Sequence, residues 1–183
     1  MRKKLIYYFL GIFLLIATIC FFTFNRNKET FFGKDCPFCQ SFILDTNKFY
    51  EDDLVMALCT HKPIMPGHCL VIPKRHVERF EMLSDDEVLQ IFRVIHKVDL
   101  AAKKAFGISA YLLWQKNGRE VGQTVPHVHF HYIPRKTGDG SILKFIFKMF
   151  LVSAQKPIES AEIQKAAEKM KTAMDEPAKN LKA

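Results

Sequence analysis

Between Gly122 and Pro134 the chain reads Gly-Gln-Thr-Val-Pro-His-Val-His-Phe-His-Tyr-Ile-Pro, so that His127, His129 and His131 alternate with Val128, Phe130 and Tyr132. Successive side chains of a β-strand point to opposite faces. Read as a strand, the segment gathers three imidazoles on one surface and sends three large apolar side chains the other way, into a core. One histidine at such a position is ordinarily a hydrogen-bonded polar group near a core. Three in register repel one another when protonated, so they must be held neutral, coordinated or hydrogen-bonded. Metal ligation and chemistry are the two uses that fit.

The rest of the chain supplies a sheet and a helix for that strand to pack with. With 183 residues, 49% of them hydrophobic, it can bury one good core and hardly a second. Short apolar runs bounded by turn residues predict antiparallel strands at 48–50 and 54–58, turning at Glu51-Asp52-Asp53, and further strands at 67–73 and 110–115. Ser84 followed by Glu87 is a capping box, and Val88, Ile91, Phe92, Ile95, Val98, Ala102 and Ala105 recur at helical spacing up to Gly107. The expected fold class is α+β, an antiparallel sheet of about five strands with this long helix on one face. Cys36-Pro-Phe-Cys39 has the spacing of a zinc knuckle or a redox pair. Cys59 and Cys69 sit among apolar residues and read as small buried hydrophobes. Beyond Arg135, residues 142–152 form a strongly apolar stretch, interfacial or packed, and 159–174 a polar helix.

Taken together, Cys36-Pro-Phe-Cys39, Pro66-Gly-His68, Val71-Ile-Pro-Lys-Arg-His76, Gly122-Gln-Thr-Val125 and the alternating histidines resemble the histidine triad (HIT) family of nucleotide hydrolases and transferases. The resemblance implies a HIT-like fold over 35–138. It implies His129 as the nucleophile, attacking the α-phosphorus of a nucleoside phosphoramidate or (di)nucleoside polyphosphate to give a nucleotidyl-histidine, with no catalytic cofactor. His131 and His68 would hold phosphate oxygens or move a proton, and His127 would orient the site. Gln123 and Thr124, with Asn117 and His68, would contact the nucleotide. Cys36, Cys39, His76 and His127 would form a structural zinc site, against which a disulfide stands outside the cytosol. HIT proteins commonly pair, so a homodimer is implied. Two positions depart from the family pattern: Thr60 stands where an acidic residue is common, and Lys116, between Gln115 and Asn117, where Asn or Gln is usual. Nucleoside preference is thereby left open. A lipid-linked nucleotide pyrophosphatase and a non-catalytic nucleotide-binding module are the alternatives.

Charge and hydropathy speak to partners. The formal net charge is +8, with six Lys/Arg against one acid before residue 35 and eight against five after residue 140, so the part between is neutral. No basic stripe with interleaved aromatics lies on it, which argues against nucleic acid. Residues 1–4 are basic and residues 5–24 lack charge for about the thickness of a bilayer core, so they read as an uncleaved single-pass transmembrane anchor. A polar linker, 25–34, would then join the anchor to the domain, and 139–183 would be a C-terminal extension. Arg2, Lys3 and Lys4 favour a domain outside the cytoplasm, whereas thiolate zinc ligands favour the inside, so the side of the membrane stays open.

Overall fold

The computed structural model describes residues 36–176, together with residues 11, 12, 14, 15 and 18. It divides into two compact units, Met1–Thr30 and Phe31–Ala183. The expectation of a membrane-anchored protein is corrected: among the described residues no helix is long and apolar enough to cross a membrane. Most of the expected anchor, and the linker up to residue 34, lie outside the described residues.

The second unit carries a five-stranded antiparallel sheet made of β1 (Lys48–Glu51), β2 (Val55–Cys59), β3 (Cys69–Pro73), β4 (Ala110–Gln115) and β5 (Phe130–Arg135), in the spatial order β1-β2-β3-β5-β4. Among the described residues four α-helices accompany it: α1 (Ser41–Asn47), α2 (Asp85–Phe106), α3 (Ile142–Leu151) and α4 (Ser160–Asp175). The expected α+β class and strand number therefore stand. At the β1–β2 turn the Asp52 carboxylate accepts hydrogen bonds from the backbone N–H groups of Leu54 and Val55, which explains why an acid sits there.

Register sorts the sheet into two faces. In the β3–β5 pairing Val71 opposes Phe130 and Cys69 opposes Tyr132, while Leu70 opposes His131. On one face Val55, Ala57, Cys59, Cys69, Val71, Val128, Phe130 and Tyr132 join Ile91, Val94, Ile95 and Val98 of α2 in the main core. On the other, Met56, Leu58, Leu70 and Ile72 form a smaller cluster against Phe38 and Leu44. Both cysteines expected as buried hydrophobes are buried. Phe92, expected in the apolar stripe of α2, is instead half exposed at its margin, with its ring 5.8 Å from that of Phe130.

Local chemistry fixes α2 at both ends. The Ser84 hydroxyl accepts from the Glu87 N–H and the Glu87 carboxylate accepts from the Ser84 N–H, the reciprocal box expected from sequence. Glu87 also accepts from Arg75 after β3 at 2.7 Å, and Gly107 ends the helix with φ of +63°. Tyr132 donates to the buried Asp99 carboxylate at 2.8 Å, which ties β5 to α2. The polar helix α4 contributes Ile163, Ala167, Met170 and Ala173 to the same core and packs along α2.

Regular pairing of β5 starts at Phe130, later than the histidine pattern predicts. Pro126 has no N–H to give a ladder, the His127 N–H turns back to the Val125 carbonyl, and the Val128 N–H goes to Val77 beyond the end of β3. The alternation of faces nevertheless holds, because Val128 is as buried in the main core as Tyr132.

Candidate active site

Each of the three histidines has one ring nitrogen committed to a protein partner, and the partner decides what the other nitrogen is for. His127 is fully buried, and its Nε2 lies 2.9 Å from the Pro73 carbonyl oxygen. A carbonyl only accepts, so Nε2 carries the proton and Nδ1 holds a lone pair. That lone pair faces the Cys36 Sγ at 3.5 Å and the Cys39 Sγ at 3.7 Å. Two residues on, the relation is inverted. His129 Nδ1 lies 2.6 Å from the His127 carbonyl oxygen, so Nδ1 carries the proton and Nε2 is left unprotonated.

His131 is set by a longer chain. The Ile64 N–H donates to His68 Nδ1 at 3.1 Å, so His68 carries its proton on Nε2. His68 Nε2 then donates to His131 Nδ1 at 3.0 Å, and His131 is left with a proton on its own Nε2. The site thus offers one basic nitrogen, on His129, beside one N–H donor, on His131; their rings are 5.1 Å apart. Gly67 places His68: it has φ of +85°, and a Cβ there would come 2.9 Å from the Phe106 ring.

Burial keeps the set neutral. His68 and His127 are each pushed down to about 4, both mainly by desolvation; for His127 the charges of His76 and His129 add to the depression and the Pro73 carbonyl opposes it. Burial also lowers His129, opposed by its bond to the His127 carbonyl and aided by the charge of Lys116. For His131 burial dominates again, with His129, His68 and Lys116 pressing the same way.

The expected ligand set converges. Cys36, Cys39, His76 and His127 each present one ligand atom, all within 4.8 Å of one another, and His76 Nδ1 is 3.5 Å from the Cys39 Sγ. Pro37–Cys39 is a single 3-10 turn that brings both thiols to one side. Burial pushes the Cys36 thiol up to about 12, so a bound cation is what would let it ionise. Between the two cysteines, Phe38 sets its ring edge-on to both His127 and His129, at 5.8 and 5.3 Å. Sequence reasoning passed over Phe38; its place between two ligands was the available signal.

The loop before the histidines is held by hydrogen bonds of its own polar side chains. Gln123 accepts from the Gly118 N–H at 2.6 Å and donates to the Glu78 and Val125 carbonyls, so its amide protons tie this loop to itself and to the segment after β3. Asn117 accepts from the Phe80 N–H and donates to Glu81. Thr124 is exposed. Trp114, opposite His131 in the β4–β5 register, and Lys116 line the same side of the sheet.

Comparison with known proteins agrees with this architecture. The family model described as "HIT domain" matches residues 42–138, and the chain belongs to that family. The HIT-like protein MJ0866 of Methanocaldococcus jannaschii is 41% identical over 112 residues, covering 60% of this chain and 86% of the relative. The asymmetrical bis(5'-nucleosyl)-tetraphosphatase of Schizosaccharomyces pombe is 40% identical over 114 residues, which is 62% of this chain and 59% of the yeast protein. Among solved structures, the histidine triad nucleotide-binding protein ST2152 of Sulfolobus tokodaii superposes with a TM-score of 0.61 at 28% identity, covering 76% of this chain and 92% of that one.

Proposed function

We propose that this protein is a nucleotide hydrolase that cleaves at the α-phosphorus of (di)nucleoside polyphosphates or nucleoside phosphoramidates through a nucleotidyl-histidine on His129. The observation that carries the reading is the 2.6 Å bond from His129 Nδ1 to the His127 carbonyl, which leaves Nε2 basic in a buried site. In the first step Nε2 forms the bond to phosphorus and the bond to the leaving group breaks. His131 Nε2–H donates to an oxygen of the phosphate or leaving group. Water then attacks the phosphorus, the P–N bond breaks with its electron pair returning to Nε2, and the water proton leaves with the product or to solvent. The activity in the name of the yeast relative supports the phosphoanhydride branch.

Zinc fits the Cys36, Cys39, His76 and His127 set. Bonds of about 2.3 Å to sulfur and about 2.0–2.1 Å to nitrogen place a sulfur and a nitrogen about 3.6 Å apart in a tetrahedron; three of the four sulfur–nitrogen separations here are 3.5, 3.5 and 3.7 Å, and all four ligand atoms lie within 4.8 Å of one another. Such an ion would neutralise two thiolates and lock the turn that carries Phe38. A second copy of the chain would pair across β4, which lies at the edge of the sheet with Tyr111 and Leu112 exposed. Light scattering on the wild type and Tyr111→Asp checks that point, with a dimer and a monomer expected in turn.

The test of the catalytic reading is intact-mass spectrometry after rapid quenching with adenosine phosphoramidate and diadenosine tetraphosphate. A nucleoside monophosphate adduct on the wild type, absent from His129→Ala, is the expected result. Unchanged turnover in His129→Ala would overturn the assignment.

A further inference from the structure

Lys116 is the one group on the site's side of the sheet, among those described above, whose charge no step yet uses. It stands at the end of β4, two residues beyond Trp114, and is half-buried. Its ammonium donates to the Gly122 carbonyl at 3.2 Å and lies 4.9 Å from the centre of the Trp114 ring. That ring is itself 6.4 Å from the His131 ring. Both contacts orient the ammonium, and neither neutralises it. No ion pair to Lys116 occurs among the described residues. A partly desolvated cation without a carboxylate is costly to keep unless an anion arrives.

The surroundings give that anion little else to bind. The amide protons of Gln123 are spent on the Glu78 and Val125 carbonyls, and the Asn117 side chain is turned to Phe80 and Glu81. The histidines are neutral, so Lys116 supplies the positive charge beside them, and its field reaches both His129 and His131. The phosphorus attacked by His129 is bonded to the histidine during the reaction. The Lys116 ammonium lies over the Trp114 ring, which stands on the His131 side of the pair, so it is matched to a phosphate beyond the attacked one.

We propose that Lys116 is a specificity-determining residue that grips a phosphate beyond the attacked one, so that nucleoside polyphosphates are favoured over nucleotides whose leaving group carries no negative charge. The proposal rests on the hydrolase reading above and narrows its substrate class. A guanidinium would serve the same purpose, whereas a neutral amide of similar reach would keep the Gly122 bond and lose the charge.

The experiment measures binding in a His129→Ala background, where nothing turns over. Dissociation constants for adenosine monophosphate and adenosine tetraphosphate are compared with Lys, Gln or Arg at position 116. The tetraphosphate should bind about tenfold or more tightly than the monophosphate when Lys116 is present, as expected for a charge-assisted contact. Lys116→Gln should bring the ratio within about twofold, through a larger loss for the tetraphosphate than for the monophosphate, and Lys116→Arg should restore it. A ratio that survives Lys116→Gln, an equal loss for both nucleotides, or no binding of either overturns the proposal. Failure of the hydrolase reading is seen elsewhere, as turnover that persists without His129, so the two are told apart.

Discussion

His127 and His129 are two residues apart, both buried, both neutral, and each held by a backbone carbonyl; they nevertheless present opposite ring nitrogens. In the cysteine corner the carbonyl of Pro73 accepts from the Nε2–H of His127, and Nδ1 is aimed at two thiols. Two residues on, the carbonyl of His127 accepts from the Nδ1–H of His129, and Nε2 is left with its lone pair. The residue type is the same and the burial is similar, so neither decides which nitrogen is left with a lone pair. Which nitrogen meets a main-chain oxygen does.

Substitutions should break this comparison along its seam. The largest effect is expected from His129→Ala, which should lower kcat by about 10⁴-fold or more while leaving bound metal, by native mass, and thermal stability close to wild type. Cys36→Ser should do the reverse in kind: loss of the metal and a Tm lower by about 10 °C or more, with activity falling only as the fold does. Acid titration reaches both halves, since His68 and His127 are each held at about 4. His68 is held at about 4 against an ordinary value near 6.5, so the unfolded chain binds the extra proton between those limits. Its contribution to stability is complete above pH 6.5 and is lost as pH falls toward 4, amounting to roughly 2 kcal/mol at pH 5. Urea unfolding at pH 7 and pH 5 should show that loss, and His68→Gln should reduce it. Smallest is Ser84→Ala at the start of α2, remote from both halves, which should cost about 1 kcal/mol and alter neither metal content nor turnover.

Much of this was legible in the chain because the signals were local. Alternation of histidine with Val128, Phe130 and Tyr132 sorts the two faces of β5, and Ser84 with Glu87 marks the start of α2, since each rests on neighbours a few residues away. The cluster of Cys36, Cys39, His76 and His127, which could hold a metal, became readable through family resemblance, because its members lie up to ninety-one residues apart and no local rule joins them. What was missed depends on distant partners. The Gln123 amide is occupied by the Glu78 carbonyl, forty-five residues earlier. Helix α1 has no side-chain cap to announce it, and the face of α4 looks polar until α2 lies against it. The reading of residues 5–24 as an anchor rested on hydropathy alone, and no helix among the described residues bears it out.

Helix α4 also bears on how the chain acquires its structure during synthesis. The last strand of the sheet ends at Arg135, but Ile163, Ala167, Met170 and Ala173 belong to the same core. At roughly 5–20 residues per second the ribosome needs about 2–8 s more to reach them. For that interval the nascent domain shows an uncovered apolar surface on the side of the sheet away from the histidines, and it is then that chaperones would find something to hold.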